Sequence, residues 1–241
     1  MPLIESVSVA AVAVPLDKVT SFSTRTVSER HYCLVKVRGK DGNEGIGFCY
    51  VGSAGGDIAK IAVEQLLAPK LIGQNSHRSE GLWMDMYNES ILQGRAGAVM
   101  RGISILDTAL WDLNARAAKL PLHQYLGSVV DDRVPAYASG GYYLDGKTPA
   151  KLGKEMESYV KQGFKAVKMK VGRLSPREEE ARVKAARKAV GEDVLLTLDA
   201  NNAWRDLPTA LEYIRRFEAY NPYWIEEPFS PDAIDLHAAL A

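Results

Sequence analysis

Hydrophobic and polar residues alternate in the first part of the chain, which is the pattern of half-buried β-strands. The alternating stretches are rich in Val, Ile and Tyr and lie at 4–14, 32–37 and 46–50. Asp41-Gly42 separates the last two stretches, and this dipeptide favours the tight turn of a β-hairpin. The chain is therefore predicted to open with a small antiparallel sheet.

The hydrophobic spacing then changes to the repeat of three to four residues that marks amphipathic helices. Asp57 suits the N-cap of a helix that ends at Leu67, and further helices are predicted over 78–92 and 99–117. A sheet followed by a group of helices predicts an α+β domain, which we assign to residues 1–132.

Short apolar strands alternate with amphipathic helices in the second half of the chain. The strands are predicted to begin roughly thirty residues apart, the size of one strand–helix unit, at 134–139, 166–171, 194–198 and 223–225. This order predicts a parallel sheet covered by helices. We assign it to a second, α/β domain over residues 133–241, and we place the boundary at Asp131-Asp132-Arg133.

Composition excludes several classes of protein. Of the residues, 46% are hydrophobic and 25% are charged, and 30 basic side chains balance 30 acidic ones, so no surface that attracts phosphate or anionic lipid is expected. The chain has no apolar run of about 18 residues and no basic start that would indicate a signal peptide. We predict a cytoplasmic protein without a nucleic-acid or membrane partner. Cys33 and Cys49 flank the hairpin and are predicted to be small buried hydrophobic residues.

Two lysines lie near the end of the second strand of the α/β domain. Because strand side chains alternate, Lys168 and Lys170 point to the same side of the sheet. Repulsion between the two ammonium groups would lower the pKa of each and make one of them a usable base. A lone K-x-K pattern also fits two solvated lysines on an edge strand.

Carboxylates lie near the ends of the next two strands. Asp199 is followed by Asn201, and Glu226 is followed by Glu227 and Pro228. Two adjacent carboxylates at a buried strand end are costly without a nearby positive charge, and Mg²⁺ favours oxygen ligands of this kind. Asp199 could also cap the following turn, and a salt bridge to a lysine could neutralise Glu226.

Together these three motifs resemble the enolase superfamily, in the branch of mandelate racemase and muconate lactonizing enzymes. The aspartate follows Lys170 by 29 residues, the glutamate follows the aspartate by 27, and each motif closes its own strand. The resemblance covers the whole chain. It implies an N-terminal capping domain followed by a TIM-like, modified (β/α)8 barrel, of which about four strand–helix units are present.

The resemblance also implies a role for each matching residue. Lys170 would take the proton α to a substrate carboxylate, Lys168 would lower the pKa of Lys170 and contact that carboxylate, and Asn201 would line the pocket. Asp199 and Glu226 would be two of three Mg²⁺ ligands, with the metal stabilising an enediolate. Loops near 22–28 and 51–56 would cover the site.

The chain also departs from the family pattern. A full barrel has eight strands in about 250 residues, so the strand that carries the third metal ligand and the later strands with an opposite-face acid or base are not in this sequence. We expect the front part of a longer enzyme that is inactive at this length.

Three functions stay open at this point. The first is a lyase that dehydrates an acid sugar or a similar hydroxy acid, and the second is a racemase, epimerase or cycloisomerase of the same superfamily. The third is a non-catalytic half-barrel. The expected partners are a small-molecule carboxylate substrate and further copies of the chain in a homo-oligomer.

Overall fold

The computed structural model of the protein describes residues 3–94, 96–127 and 133–241. The predicted boundary at Asp131-Asp132 lies outside the described residues. The chain divides into two compact units. The first unit comprises Met1–Leu16 and Ser28–Arg133, and the second comprises Asp17–Val27 and Val134–Ala241.

A three-stranded antiparallel sheet opens the chain, with strands β1 (Ile4–Ser21), β2 (Thr26–Gly39) and β3 (Glu44–Gly52) in that order. The hairpin turn between β2 and β3 is confirmed. Gly42 takes a positive φ of 84° there, and Asp41 accepts a hydrogen bond of 3.1 Å from the backbone N–H of Asn43. β1 and β2 are longer than predicted, because polar residues continue the strands beyond their apolar stretches.

The helices of the first unit follow the sheet as predicted. They are α1 (Gly56–Ile61), which continues as a π-helix (Ala62–Leu67) and a 3-10 turn (Ala68–Lys70), then α2 (Ser79–Glu89), α3 (Ala98–Ala117) and α4 (Leu122–Tyr125). The N-cap prediction for Asp57 is wrong, because the positive-φ residue Gly55 precedes the first turn and Asp57 lies inside it.

Helix α3 packs directly on β3, and glycines make the close approach possible. A Cβ atom at Gly45 would lie 2.1 Å from the carbonyl oxygen of Ala109, and one at Gly47 would lie 2.1 Å from that of Ile105. The buried core around this contact includes Val35, Leu106 and Leu110. Cys33 is buried in the same core, as predicted, whereas its register partner Cys49 is only partly buried; both thiols are free.

The second unit is a four-stranded parallel sheet with helices between its strands. The strands β4 (Ala138–Ser139), β5 (Ala166–Lys170), β6 (Leu195–Asp199) and β7 (Trp224–Glu226) pair in chain order. The helices are α5 (Pro149–Lys161), α6 (Pro176–Val190), α7 (Leu207–Phe217) and α8 (Ile234–Leu240). Their apolar faces pack on strand residues such as Met169 and Leu196.

Local signals explain where these helices begin. The side chains of Thr148 and Asp206 accept hydrogen bonds from the N–H of Lys151 and Thr209, and Pro occupies the first turn of α5, α6 and α7. Among the helices that the structure describes, none is long and apolar enough to cross a bilayer.

The first strand of this sheet is shorter than the predicted 134–139. Ala138 pairs with Val167, and β5 begins at Ala166, so residues before 137 have no β5 residue opposite them. A strand needs such a partner for its backbone groups, and residues 134–136 therefore take no regular structure.

Candidate active site

Four charged side chains lie at one edge of the parallel sheet. Lys170, Asp199 and Glu226 are the last residues of β5, β6 and β7, and the register pairs Lys170 with Asp199 and Asp199 with Glu226. Lys168 lies two residues before Lys170 on the same face. The carboxyl ends of parallel strands are where α/β proteins place their working residues.

These side chains form one ion-pair network. The Nζ atom of Lys170 lies 2.5 Å from Oδ2 of Asp199, and Nζ of Lys168 lies 3.3 Å from the same oxygen. Lys168 also donates to both carboxylate oxygens of Glu226, at 2.8 and 2.9 Å. Both lysines are less than 10% exposed and Asp199 is 2% exposed, so the alternative of solvated edge lysines is wrong.

The pKa of Lys168 differs from the sequence expectation. Burial by itself lowers the pKa of this ammonium group, but the hydrogen bonds to Glu226 and the charges of Asp199 and Glu226 outweigh that effect. Its pKa is raised above the ordinary value. The prediction that the lysine pair lowers the pKa is wrong for Lys168, because two carboxylates lie within 3.3 Å of its ammonium group.

The two carboxylates are close enough to share one cation. A single ammonium group, Nζ of Lys168, contacts Oε1 of Glu226 at 2.8 Å and Oδ2 of Asp199 at 3.3 Å. Oxygen donors of this kind fit Mg²⁺, which is often held by one or two protein carboxylates with water and substrate completing its shell. In the part of the chain that the structure describes, no group of three or more acidic, His or Cys side chains could hold a metal ion.

Glu227 does not share the burial of this network. It is exposed and takes a positive φ of 50°, so the expectation of two buried adjacent carboxylates is wrong. Its carboxylate accepts a hydrogen bond of 3.2 Å from the side-chain amide of Asn201.

The loops after β6 and β7 are joined by backbone hydrogen bonds that continue beyond the strands. The N–H groups of Ala200 and Asn202 donate to the carbonyls of Glu226 and Glu227, at 2.9 and 2.7 Å. Asn201 and Asn202 both take positive φ, which asparagine tolerates better than most residues. This ladder fixes the backbone from which the two carboxylates project.

Asn201 links the loop to the network. Its backbone N–H donates to Oδ1 of Asp199 at 3.0 Å, so Asp199 does hold the following turn. Its side-chain oxygen is buried and, among the described atoms, has no hydrogen-bond partner. An unpaired buried acceptor of this kind can take a hydrogen bond from a ligand.

Comparison with known proteins identifies the family. Residues 4–127 match the N-terminal domain of mandelate racemase and muconate lactonizing enzyme, and residues 151–241 match the enolase C-terminal domain-like family. The chain belongs to the mandelate racemase and muconate lactonizing enzyme family. The predicted superfamily and fold, a capping domain followed by part of an α/β barrel, are confirmed.

Relatives with known names cover most of this chain. An arabinonate dehydratase from Saccharolobus solfataricus is 42% identical over 185 residues, which are 77% of this chain and 49% of the relative. A 3,6-anhydro-alpha-L-galactonate cycloisomerase from Streptomyces coelicolor is 32% identical over 240 residues, 99% of this chain and 65% of the relative. This chain therefore spans about half to two thirds of the length of these relatives.

Solved structures in the family include members with bound magnesium. The crystal structure of L-talarate/galactarate dehydratase from Salmonella typhimurium, liganded with Mg and L-lyxarohydroxamate, superposes with a TM-score of 0.90 at 31% identity. The superposition covers 99% of this chain and 61% of that one. Members of this family are thus named as lyases and isomerases that act on small carboxylic acids.

Aromatic rings lie near the two lysines, and the sequence reasoning placed only Phe22 there, as part of the loop at 22–28. The Nζ atom of Lys170 lies 5.4 Å from the ring centre of Tyr142 and 5.9 Å from that of Phe22. The Nζ atom of Lys168 lies 5.5 Å from the ring centre of Tyr137. The tyrosines lie close to β4 in the sequence, and that position is the signal that could have found them.

The segment that carries Phe22 belongs to the second unit and forms hydrogen bonds with the loop after β6. The hydroxyl of Ser23 donates to the carbonyl of Ala200, and that of Thr24 donates to the carbonyl of Asn201 at 3.2 Å. The loop near 22–28, which was expected to cover the site, therefore contacts the two residues that follow Asp199.

Proposed function

We propose that this protein removes the proton α to the carboxylate of an acid sugar in a Mg²⁺-dependent reaction, and that the reaction is a dehydration. The observation that carries the proposal is the network of Lys168, Lys170, Asp199 and Glu226 at the ends of adjacent parallel strands. This reaction needs a base that takes the proton and acidic side chains that bind the metal, and the network contains both kinds of group.

Asp199 and Glu226 are the residues that would hold the metal, because one cationic group already contacts both of them. When bound, Mg²⁺ would hold the substrate carboxylate and stabilise the negative charge that builds up as the α-proton leaves.

Lys170 is the proposed base. A base has to come within hydrogen-bond distance of the proton that it takes, and it has to be neutral to accept it. Lys170 can therefore act only when its Nζ atom is released from Asp199, which now lies 2.5 Å away. The rings of Phe22 and Tyr142 would exclude water from the released amine.

Lys168 and Asn201 would orient the substrate. Lys168 lies at the edge of the sheet beside both proposed metal ligands, and an ammonium group there suits a contact to the substrate carboxylate. The unpaired side-chain oxygen of Asn201 would accept a hydrogen bond from a substrate hydroxyl group. Acid sugars carry both kinds of group.

Dehydration is favoured over isomerisation by the relatives. The arabinonate dehydratase has a higher identity to this chain than the cycloisomerase has. Racemisation, epimerisation or cycloisomerisation is the second candidate, since the same first proton transfer precedes each of these outcomes and a residue on the opposite face decides between them.

A substrate panel tests the proposal, with the polypeptide prepared at the length that its natural source produces. Arabinonate, galactarate, L-talarate and 3,6-anhydro-L-galactonate are incubated with Mg²⁺, and 2-keto acid is measured as its semicarbazone. We expect Mg²⁺-dependent product from at least one acid, lost in Lys170→Met and retained in Lys165→Met, which removes an exposed lysine just before β5. Mass spectrometry separates the two candidates, because dehydration removes water and isomerisation does not. A product with the mass of its substrate, including a 2-keto acid formed from 3,6-anhydro-L-galactonate by ring opening, would support the second candidate, and neither product with any acid would contradict the proposed function.

A further inference from the structure

A buried arginine outside the charged network contacts the backbone of Lys170. Arg182 lies on α6, is 5% exposed and donates from Nη1 to the carbonyl oxygen of Lys170 at 2.9 Å. Its Nη2 donates to the carbonyl oxygen of Gly141 at 2.8 Å. One planar guanidinium thus joins the end of β5 to the turn that follows β4.

This arginine occupies the place of a missing strand. The backbone groups of alternate strand residues face the same neighbour, so the carbonyls of Lys168 and Lys170 both face the β4 side. The first accepts a hydrogen bond of 2.9 Å from the N–H of Gly140, but β4 has ended at Ser139 and the chain has turned. Arg182 supplies the donor that the strand no longer provides to Lys170.

A buried glutamate holds both the arginine and the chain just after Lys170. Glu179 is fully buried and accepts from Nη1 of Arg182 at 2.7 Å. Its other carboxylate oxygen accepts from the backbone N–H groups of Arg173 and Leu174, at 3.0 Å each. The main chain is therefore held at Lys170 itself and again three residues later.

Tyr143 completes the cluster. Its ring centre lies 3.9 Å from the guanidinium carbon of Arg182, and its hydroxyl donates to Glu179. A flat cation between a ring and a carboxylate has a fixed plane, so the direction of its two backbone hydrogen bonds is fixed as well.

We propose that Arg182 is a positioning residue that, with Glu179, holds Lys170 in the place from which it takes the substrate proton. This inference rests on the proposed function. Buried ion pairs are poor sources of stability, whereas misplacing a reacting group by about 1 Å can reduce a rate on the order of a hundredfold. Lysine in place of Arg182 keeps the charge but loses the fork that reaches both carbonyls.

Arg187 provides a matched control on the same helix. It is 6% exposed and also donates to backbone carbonyls, among them those of Val194 and Tyr220. Those residues precede β6 and β7, so Arg187 serves the opposite ends of the strands. Arg187→Lys reproduces the loss of a buried fork without touching Lys170.

The test compares the variants Arg182→Lys and Arg187→Lys, each prepared at the natural length of the polypeptide. The substrate is the acid that the panel identifies. We expect kcat to fall on the order of tenfold to a hundredfold in Arg182→Lys with KM within about twofold, and Arg187→Lys to keep kcat within about twofold. Mn²⁺ affinity, measured by electron paramagnetic resonance, should stay unchanged in both. Equal losses of kcat in the two variants, or a rise in KM alone, would overturn the proposal.

Two further measurements keep the test decisive. If Arg182→Lys does not fold, Glu179→Gln removes the charge that holds Arg182; a kcat reduced by about threefold or more supports the proposal, and an unchanged kcat overturns it. If the wild type turns over no acid, the proposed function fails separately. Hydrogen exchange then tests separately whether Arg182, through Glu179, holds the chain after Lys170: faster exchange of the Arg173 and Leu174 amides in Arg182→Lys than in Arg187→Lys supports this, and equal exchange overturns it.

Discussion

Replacing Asp199 with Asn should destabilise the protein strongly in the absence of metal. Among the described residues, Asp199 is the one carboxylate that pairs with Lys170, and it also contacts Lys168. Asparagine keeps the shape of the side chain and removes its charge. The ammonium group of Lys170 is then left buried without a counter-charge.

The size of the effect follows from burial. Removing one partner of a buried ion pair costs about 3–5 kcal/mol. Lys168 retains Glu226 after the change, so one uncompensated charge remains and we expect a loss of about 3 kcal/mol in the free energy of unfolding. Glu226 has a side chain that is 33% exposed, so Glu226→Gln should cost only about 1 kcal/mol or less.

Urea titration in a buffer with EDTA measures both losses, with circular dichroism and tryptophan fluorescence, to which the buried Trp204 contributes, as probes. The double variant Asp199→Asn/Lys170→Met removes both partners, and its loss should be smaller than the sum of the two single losses by about 1 kcal/mol or more. The reasoning is refuted if Glu226→Gln costs more than Asp199→Asn, or if the single losses simply add.

Two predictions concern the first unit. Gly47→Ala should lower the free energy of unfolding by about 3 kcal/mol, because its Cβ would lie 2.1 Å from the carbonyl oxygen of Ile105. The control Gly153→Ala on α5, whose Cβ would have its nearest atom at 3.2 Å, should change that free energy little. Equal losses of the two variants in urea titration would count against the close packing of α3 on β3. Burial raises the pKa of Cys33 to about 11, so this thiol should stay protonated at pH 8. In Cys49→Ser, where Cys33 is the remaining thiol, its reaction with dithionitrobenzoate should be far slower in the native than in the urea-unfolded protein. Similar rates would contradict the burial of Cys33.

Periodic segments of the chain could be predicted from the sequence. Helix α3, predicted over 99–117, spans Ala98–Ala117, and the strand predicted over 166–171 spans Ala166–Lys170. In both, the hydrophobic pattern is long and regular enough to fix the element. β4 was overestimated because its length depends on where β5 begins, which the residues 134–139 do not encode.

The residues of the charged network could be predicted from the sequence, but the pKa of its lysine Lys168 could not. Strand alternation and unit spacing placed Lys168, Lys170, Asp199 and Glu226 on one edge. The raised pKa of Lys168 could not be predicted, because it depends on distances between side chains of different strands.

Arg182 shows a second limit of sequence reasoning. A glutamate and an arginine three residues apart on a helix, as Glu179 and Arg182 are, ordinarily indicate a solvated surface pair. Here both are buried, because Arg182 donates to the carbonyl of Lys170 at the end of β5 and Glu179 accepts from the backbone N–H groups just after it. Burial of a charge is decided by partners that are distant in sequence, and no local pattern reports it.

The central claim is that Lys170 takes the α-proton in a Mg²⁺-dependent reaction. Proton NMR in deuterated water measures this directly, since both exchange and dehydration remove the α-proton signal of the substrate. The polypeptide is used at the length that its natural source produces, with arabinonate or galactarate as substrate. We predict loss of the signal with Mg²⁺, no loss with EDTA or in Lys170→Met, and normal loss in Lys165→Met. Loss of the signal that continues in Lys170→Met would contradict the account.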